Sequence, residues 1–173
     1  MQPVSERQFK TPIEPFRSLA DVQILLDRRI NYEADRQVPV ERIFTLDRMI
    51  RCVEALGRPD RAFRTIHVTG TKGKGSVSRM LAALLRATGA RVGLYTSPHI
   101  EQLCERIDVE GAPVNEQTFV AAFNELRPLL EGAGAELTHF ELLTAAFCAF
   151  RAEQVDWAVI EVGIGGDAST RPT

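Results

Sequence analysis

One stretch limits the fold of this chain more than any other: "RTIHVTGTKGKGSVSRMLAALLRAT", residues 64–88. An apolar, β-branched run is followed by a loop with glycines at 70, 73 and 75, and then by a helical pattern ending at Gly89. Another apolar run, "RVGLYT" (91–96), comes next. Strand, helix, strand is a βαβ unit, which predicts parallel strands and a right-handed crossover. The glycine-rich turn leaves backbone N–H groups aimed at one point beside a helix N-terminus, and that point attracts anions. Gly70, Gly73 and Gly75 keep side chains clear of a phosphate. Lys74 supplies an ammonium for its oxygens, and Ser76 a hydroxyl for metal or phosphate.

The rest of the pattern fits around this unit. Residues 1–17 carry three prolines and no periodicity, and read as a loose arm. Apolar spacing predicts a helix after Ser18 and a second after Thr45, the latter stopped at Gly57. A short strand is expected at 106–110, a helix capped by Asn115 through Leu130 and a break at "GAG". A long helix over 138–154 and a central strand over 156–162 follow. The expected fold is a three-layer α/β domain with a mostly parallel sheet, occupying 18–173.

Composition narrows the function. A net charge of −2 gives no basic surface for nucleic acid, and no apolar run is long enough for a membrane span. Neither partner is expected, and the cytoplasm is the expected location. Cys52, Cys104 and Cys148 have no paired spacing, so buried thiols are expected rather than disulfides or a metal site.

The loop departs from GxxxxGK[ST], because Val68 replaces the first glycine and Gly75 follows Lys74. It also approaches a dinucleotide fingerprint, but Ser78 replaces the last small residue. Strand two ends in Tyr95-Thr96, with no acid for a ribose hydroxyl, which disfavours a dinucleotide oxidoreductase. Nucleoside triphosphate chemistry also needs Mg²⁺ on hard oxygen ligands. Two candidates sit at carboxyl ends of strands: Ser97 in "YTSPH" and Glu161 in "AVIEVG". A carboxylate inside an apolar strand is costly without a partner. The alternatives are an ordinary Ser-Pro turn and a solvated acid at the sheet edge.

"HVTGTKGKGS", "GLYTSPHIEQLCERI", "THFELLTAAF" and "DWAVIEVGIGG", in this order, resemble the folylpolyglutamate synthase and dihydrofolate synthase family of the Mur-ligase superfamily. The resemblance covers residues 20–166. It implies a P-loop NTPase-like central ATP-binding domain of the Mur-ligase type, here truncated. Gly70, Thr71, Lys72, Gly73, Lys74, Gly75 and Ser76 would form the ATP phosphate loop, with Lys74 catalytic. Lys72 stands where many members have Asn.

Ser97 and Glu161 would hold Mg²⁺, and the segment from Ser97 through Pro98 and His99 to Arg106 would bind folate. Thr138 and Phe140 would face the pterin, although from the residues alone Thr138 is a helix cap and Phe140 core. His67, His99 and His139 receive no base role. The implied reaction is ATP-dependent ligation of L-glutamate to a folate or dihydropteroate carboxylate through an acyl phosphate, by a monomer. A cell-wall Mur-type ligase and a non-catalytic nucleotide-binding fragment are the alternatives.

The family continues to a second metal-ligand histidine, a modified lysine and a further domain. This sequence departs from it at Asp167. "DASTRPT" is what the family's RLDSTN becomes when its codons are read out of register, so a shifted frame is expected, with an inactive chain and an uncovered edge on strand 156–162.

Overall fold

The computed structural model describes residues 14–32, 46–132, 136–151 and 154–163. The expected cap Thr45, the arm before residue 14, the "GAG" break beyond Gly132 and the divergent end from Asp167 lie outside these residues.

Helix α1 (Leu19–Asp27) begins where the sequence placed it. Ser18 accepts from the Asp21 N–H, and the Asp21 carboxylate takes the Ser18 N–H in return, a capping box. Just before it, Phe16 exchanges two hydrogen bonds with the Asn124 side chain, at 2.9 and 3.0 Å. The end of the arm is therefore fastened rather than loose.

Helix α2 (Asp47–Ala55) ends at Leu56, and Gly57 follows with a positive φ of 80°. Strand β1 is Arg64–Val68, helix α3 Lys74–Ala87 and strand β2 Val92–Tyr95. A hairpin of β3 (Ile107–Val109) and β4 (Ala112–Pro113) precedes α4 (Glu116–Leu126), whose N-cap is Asn115. Pro128 turns the continuation of α4 into a 3-10 turn, so the helix expected through Leu130 stops sooner. Helix α5 (His139–Arg151) and strand β5 (Trp157–Glu161) complete the order.

The sheet runs β1-β5-β2-β3-β4. β5 is parallel to both β1 and β2 and lies between them. The two strands of the first βαβ unit are thus parallel but not neighbours. Strand 156–162 is central, as its apolar run predicts, but the uncovered edge expected on it is filled, and among the described residues β1 is the edge instead. Burial explains the order: Ala158 and Val159 are fully buried, whereas β1 is exposed at Arg64, Thr65 and His67. A strand apolar on both faces belongs inside a parallel sheet. The β3–β4 hairpin adds an antiparallel margin.

Side chains alternate across the sheet. Val68, Val92, Leu94 and Val159 pack with Ala82 of α3 on one face. Tyr95 and Ala158 pack on the other with α1, α2, α4 and α5, where Phe119, Phe123, Leu142, Leu143 and Phe147 form the main core. Helices therefore cover both faces, the expected three layers. Gly93 lies close under α5: a Cβ there would stand 3.3 Å from the Phe147 ring, which would have to give by a few tenths of an ångström. The outer side of α3 is apolar and open: Val77, Met80 and Leu84 are 46, 64 and 66% exposed. The three cysteines are buried and unpaired, as expected, and burial pushes the Cys148 thiol up to about 12.

Candidate phosphate and metal site

The site is built at the carboxyl ends of β1, β5 and β2, on the face covered by α3. β1 ends at Val68, and residues 69–73 lead into α3 without regular structure. Gly73 is the helix N-cap with φ 74°, a left-handed conformation that strains any residue with a Cβ, and its carbonyl accepts the Val77 N–H at 3.0 Å. Gly70, with φ 147°, lies beside the Lys74 stem. The helix opens at Lys74, two residues before the expected Ser76, so Lys74 and Gly75 occupy its first turn. Among the described residues no side chain caps this end, and its first N–H groups have no intrahelical acceptor. Thr71, Lys72 and Ser76 are exposed and Lys74 half-buried. The Lys74 ammonium has no ion-pair partner among the described residues.

Glu161 is the last residue of β5 and shares parity with Val159, so its side chain points to the α3 face. It is 6% exposed. A Cβ built on Gly75 would stand 3.4 Å from Glu161 Oε2 and 3.8 Å from Oε1, so the carboxylate lies against the first turn of the helix. It is not the solvated edge acid of the alternative reading. From the neighbouring strand the Ser97 N–H donates to Glu161 Oε2 at 3.1 Å. The Ser97 hydroxyl is buried and has no hydrogen-bond partner among the described residues. A buried hydroxyl without a partner is uncommon and costly, and it points to a group that completes it.

Among the described residues no three His, Cys, Asp or Glu side chains gather as a metal cluster. The donor set is one carboxylate and one hydroxyl. That is too poor for a closed protein cage but suits Mg²⁺, which keeps waters and takes phosphate oxygens as further ligands. The residues present therefore fit a magnesium–phosphate complex, with Glu161 and Ser97 on its protein side.

The expected substrate residues separate into two groups. Pro98 is exposed, and the Ser97-Pro98 peptide is cis. His99 Nδ1 accepts from Arg106 Nε at 3.0 Å, so the arginine, 2% exposed, fixes the imidazole inside the loop that also carries Ser97. Those residues share the loop that begins at Ser97. Thr138 and Phe140 lie at the same end of the sheet but on the α5 face. Thr138 caps α5: its hydroxyl accepts the Glu141 N–H and its own N–H donates to Glu141, which also pairs with Arg48. Phe140 is half-buried, edge-on to Tyr95 with centroids 5.9 Å apart, and its ring lies 2.8 Å from where a Gly163 Cβ would be. Both perform the structural roles that the residues alone suggested.

His67 stands exposed on β1, while His139 is buried and its backbone N–H bonds Ile30. A cleft of about 590 Å³ lined by Arg61, Arg64, Arg91, Asp156 and Trp157 lies at the opposite rim and contains none of the candidates. Glu105, which the sequence reading passed over, is central to the loop. Its signal was present in Gln102-x-x-Glu105, the spacing of a capping box.

A glycine loop between an edge strand and a helix, with a carboxylate on the neighbouring strand, places the chain in the P-loop α/β class. No family model matches the sequence. Among curated proteins it is 39% identical over 168 residues to the dihydrofolate synthase/folylpolyglutamate synthase of Mycobacterium tuberculosis, a match covering 90% of this chain and 33% of the relative. Folylpolyglutamate synthase of that organism, solved with ADP and AMPPCP, superposes with a TM-score of 0.74 and 36% identity, covering 85% of this chain and 32% of that one. A bifunctional folylpolyglutamate synthase/dihydrofolate synthase with Mn, AMPPNP and L-glutamate bound gives 0.73 at 28% identity, with shares of 90% and 36%. The chain belongs to the folylpolyglutamate synthase/dihydrofolate synthase family. It spans about a third of the length of these relatives. No helix among the described residues is long and apolar enough to cross a membrane.

Proposed function

We propose that residues 18–173 are part of the ATP-binding domain of a ligase that joins L-glutamate to the carboxylate of a folate or dihydropteroate. The observation that carries this reading is the Glu161 carboxylate against Gly75, with the unpartnered Ser97 hydroxyl beside it. Relatives solved with ADP, AMPPCP, AMPPNP and Mn support the nucleotide and the divalent cation.

In this reading the N–H groups at 70–76 receive the ATP phosphates and Lys74 neutralises charge on the transferred phosphoryl group. Ser97 and Glu161 would hold Mg²⁺, which when bound screens the phosphate oxygens. The folate carboxylate attacks the terminal phosphorus and releases ADP. The glutamate amine then attacks the acyl phosphate and phosphate leaves. The contribution of this chain is alignment: β2 and β5 hold Ser97 and Glu161 in register, so the nucleotide arrives at a preformed carboxylate. The loop 97–106, with Pro98, His99 and Arg106, borders the folate; Thr138 and Phe140 serve it from behind, through α5.

Calorimetric titration tests the assignment. Magnesium-ATP should bind, and dihydropteroate or a reduced folate should tighten it. Tightening by a UDP-sugar peptide instead would select a cell-wall ligase, and absence of nucleotide binding would end the proposal. A second reading is nucleotide binding without turnover. Glutamylated product formed by this chain alone would exclude it.

A further inference from the structure

Residues 97–106 contain only one short 3-10 turn, and their tip is open: Ile100 is 87% exposed. Such a segment needs a device to keep one shape. Its base is closed by the Thr96 N–H on the Arg106 carbonyl at 3.0 Å and by the Thr96 hydroxyl on the Glu105 carbonyl at 3.3 Å. Its tip is closed by one side chain. Glu105 Oε2 accepts the Ile100 N–H at 2.9 Å, and Oε1 accepts those of Glu101 and Gln102 at 3.0 and 2.8 Å. Three charge-assisted bonds converge on one carboxylate. The Ile100 N–H, followed by that of Gln102, holds this carboxyl below its ordinary range. Arg106, adjacent in sequence, adds its bond to His99.

The loop starts at Ser97, whose N–H rests on Glu161. With the tip latched, Ser97 is fixed from both sides: by β2 before it and by the closed loop after it. Without the latch, residues 100–102 lose the three bonds that close the tip, while Leu103 and Cys104 stay anchored in the core.

We propose that Glu105 is a positioning residue, whose carboxylate latches the loop and thereby holds Ser97 in place, with its amide on Glu161. The latch stands on the hydrogen bonds of Glu105; its consequence for metal binding rests on the function proposed above.

Residue-resolved amide exchange by NMR on the 173-residue chain tests it. In Glu105→Ala the amides of 100–102 should lose protection, and the Ser97 amide, eight positions away, should exchange about tenfold faster or more. Glu105→Gln keeps one acceptor oxygen, so it should fall between Ala and the parent. Amides in β5 and α3 report whether the fold is intact. If Glu105→Ala unfolds the sheet, Glu105→Gln decides. Unchanged Ser97 exchange with opened 100–102 amides would overturn the proposal, as would no change at all.

The second readout is Mn²⁺ affinity in the presence of ATP, from water-proton relaxation. It should weaken from parent to Gln to Ala while metal-free ATP binds equally, which a local packing role would not produce. A parent that binds no manganese–nucleotide would sink the function; the Ser97 exchange would still decide the latch.

Discussion

The rim around Glu161 and the start of α5 lie at the same end of the sheet, on opposite faces, and treat their polar groups differently. At α5 the protein satisfies itself: Thr138 and Glu141 exchange two hydrogen bonds, and Arg48 closes the carboxylate from α2. At the rim, among the described residues, the Ser97 hydroxyl is buried with no partner, the Lys74 ammonium has no counter-ion, and the first turn of α3 has no side-chain cap. Groups that hold a fold are completed by the fold, whereas groups that await a ligand are left incomplete at some cost in stability.

Substitutions can break or sharpen that contrast. Glu141→Ala removes both the return half of the cap and a charge-assisted pair whose side chains are only 17 and 16% exposed. It should cost about 2–3 kcal/mol in urea denaturation, with nucleotide affinity unchanged. Ser97→Ala should do the reverse. Metal-dependent ATP affinity should fall about tenfold, while stability stays level or rises, because an unsatisfied buried hydroxyl has gone. Loss of stability in that variant would show that the hydroxyl serves the fold. Thr138→Ala should lower stability by about 1 kcal/mol, a shift of roughly 2–4 °C in melting temperature, with nucleotide binding intact.

The smallest effect lies at the far rim. Asp156 is held below its ordinary range, first by the Arg91 guanidinium and then by the Arg91 N–H. A depressed carboxylate contributes stability above its unfolded pKa, near about 4, and loses it as pH falls through the folded value. Asp156→Asn should therefore be less stable than the parent at neutral pH, and the gap should close on acidification. Melting curves at several pH values would read this. A gap that widened in acid would reverse the assigned sign.

Much of this was legible locally. β1, β2 and β5 emerged within a residue or two because each is an apolar run between turn-forming residues. Ser18 and Asn115 marked helix starts by their side-chain oxygens. Strand order was not legible. Alternation tells which face a residue takes but not which strand lies beside it, so β5 between β1 and β2 had to come from the structure. The same limit hid the antiparallel β3–β4 margin. At the site, Glu161 was legible as a carboxylate in an apolar strand, and its distance from Gly75 was not. Glu105 left a local trace in the Gln102-x-x-Glu105 spacing, whereas its hold on the Ile100 and Glu101 amides is not written in residue type.

The central claim is that Glu161 and the 70–76 loop form one magnesium–nucleotide site. Calorimetry with ATP, with and without magnesium, on the parent and on Glu161→Gln tests it most directly. The account predicts that magnesium tightens ATP binding to the parent and that Glu161→Gln abolishes this gain while metal-free binding persists. Equal magnesium dependence in the two proteins would contradict it.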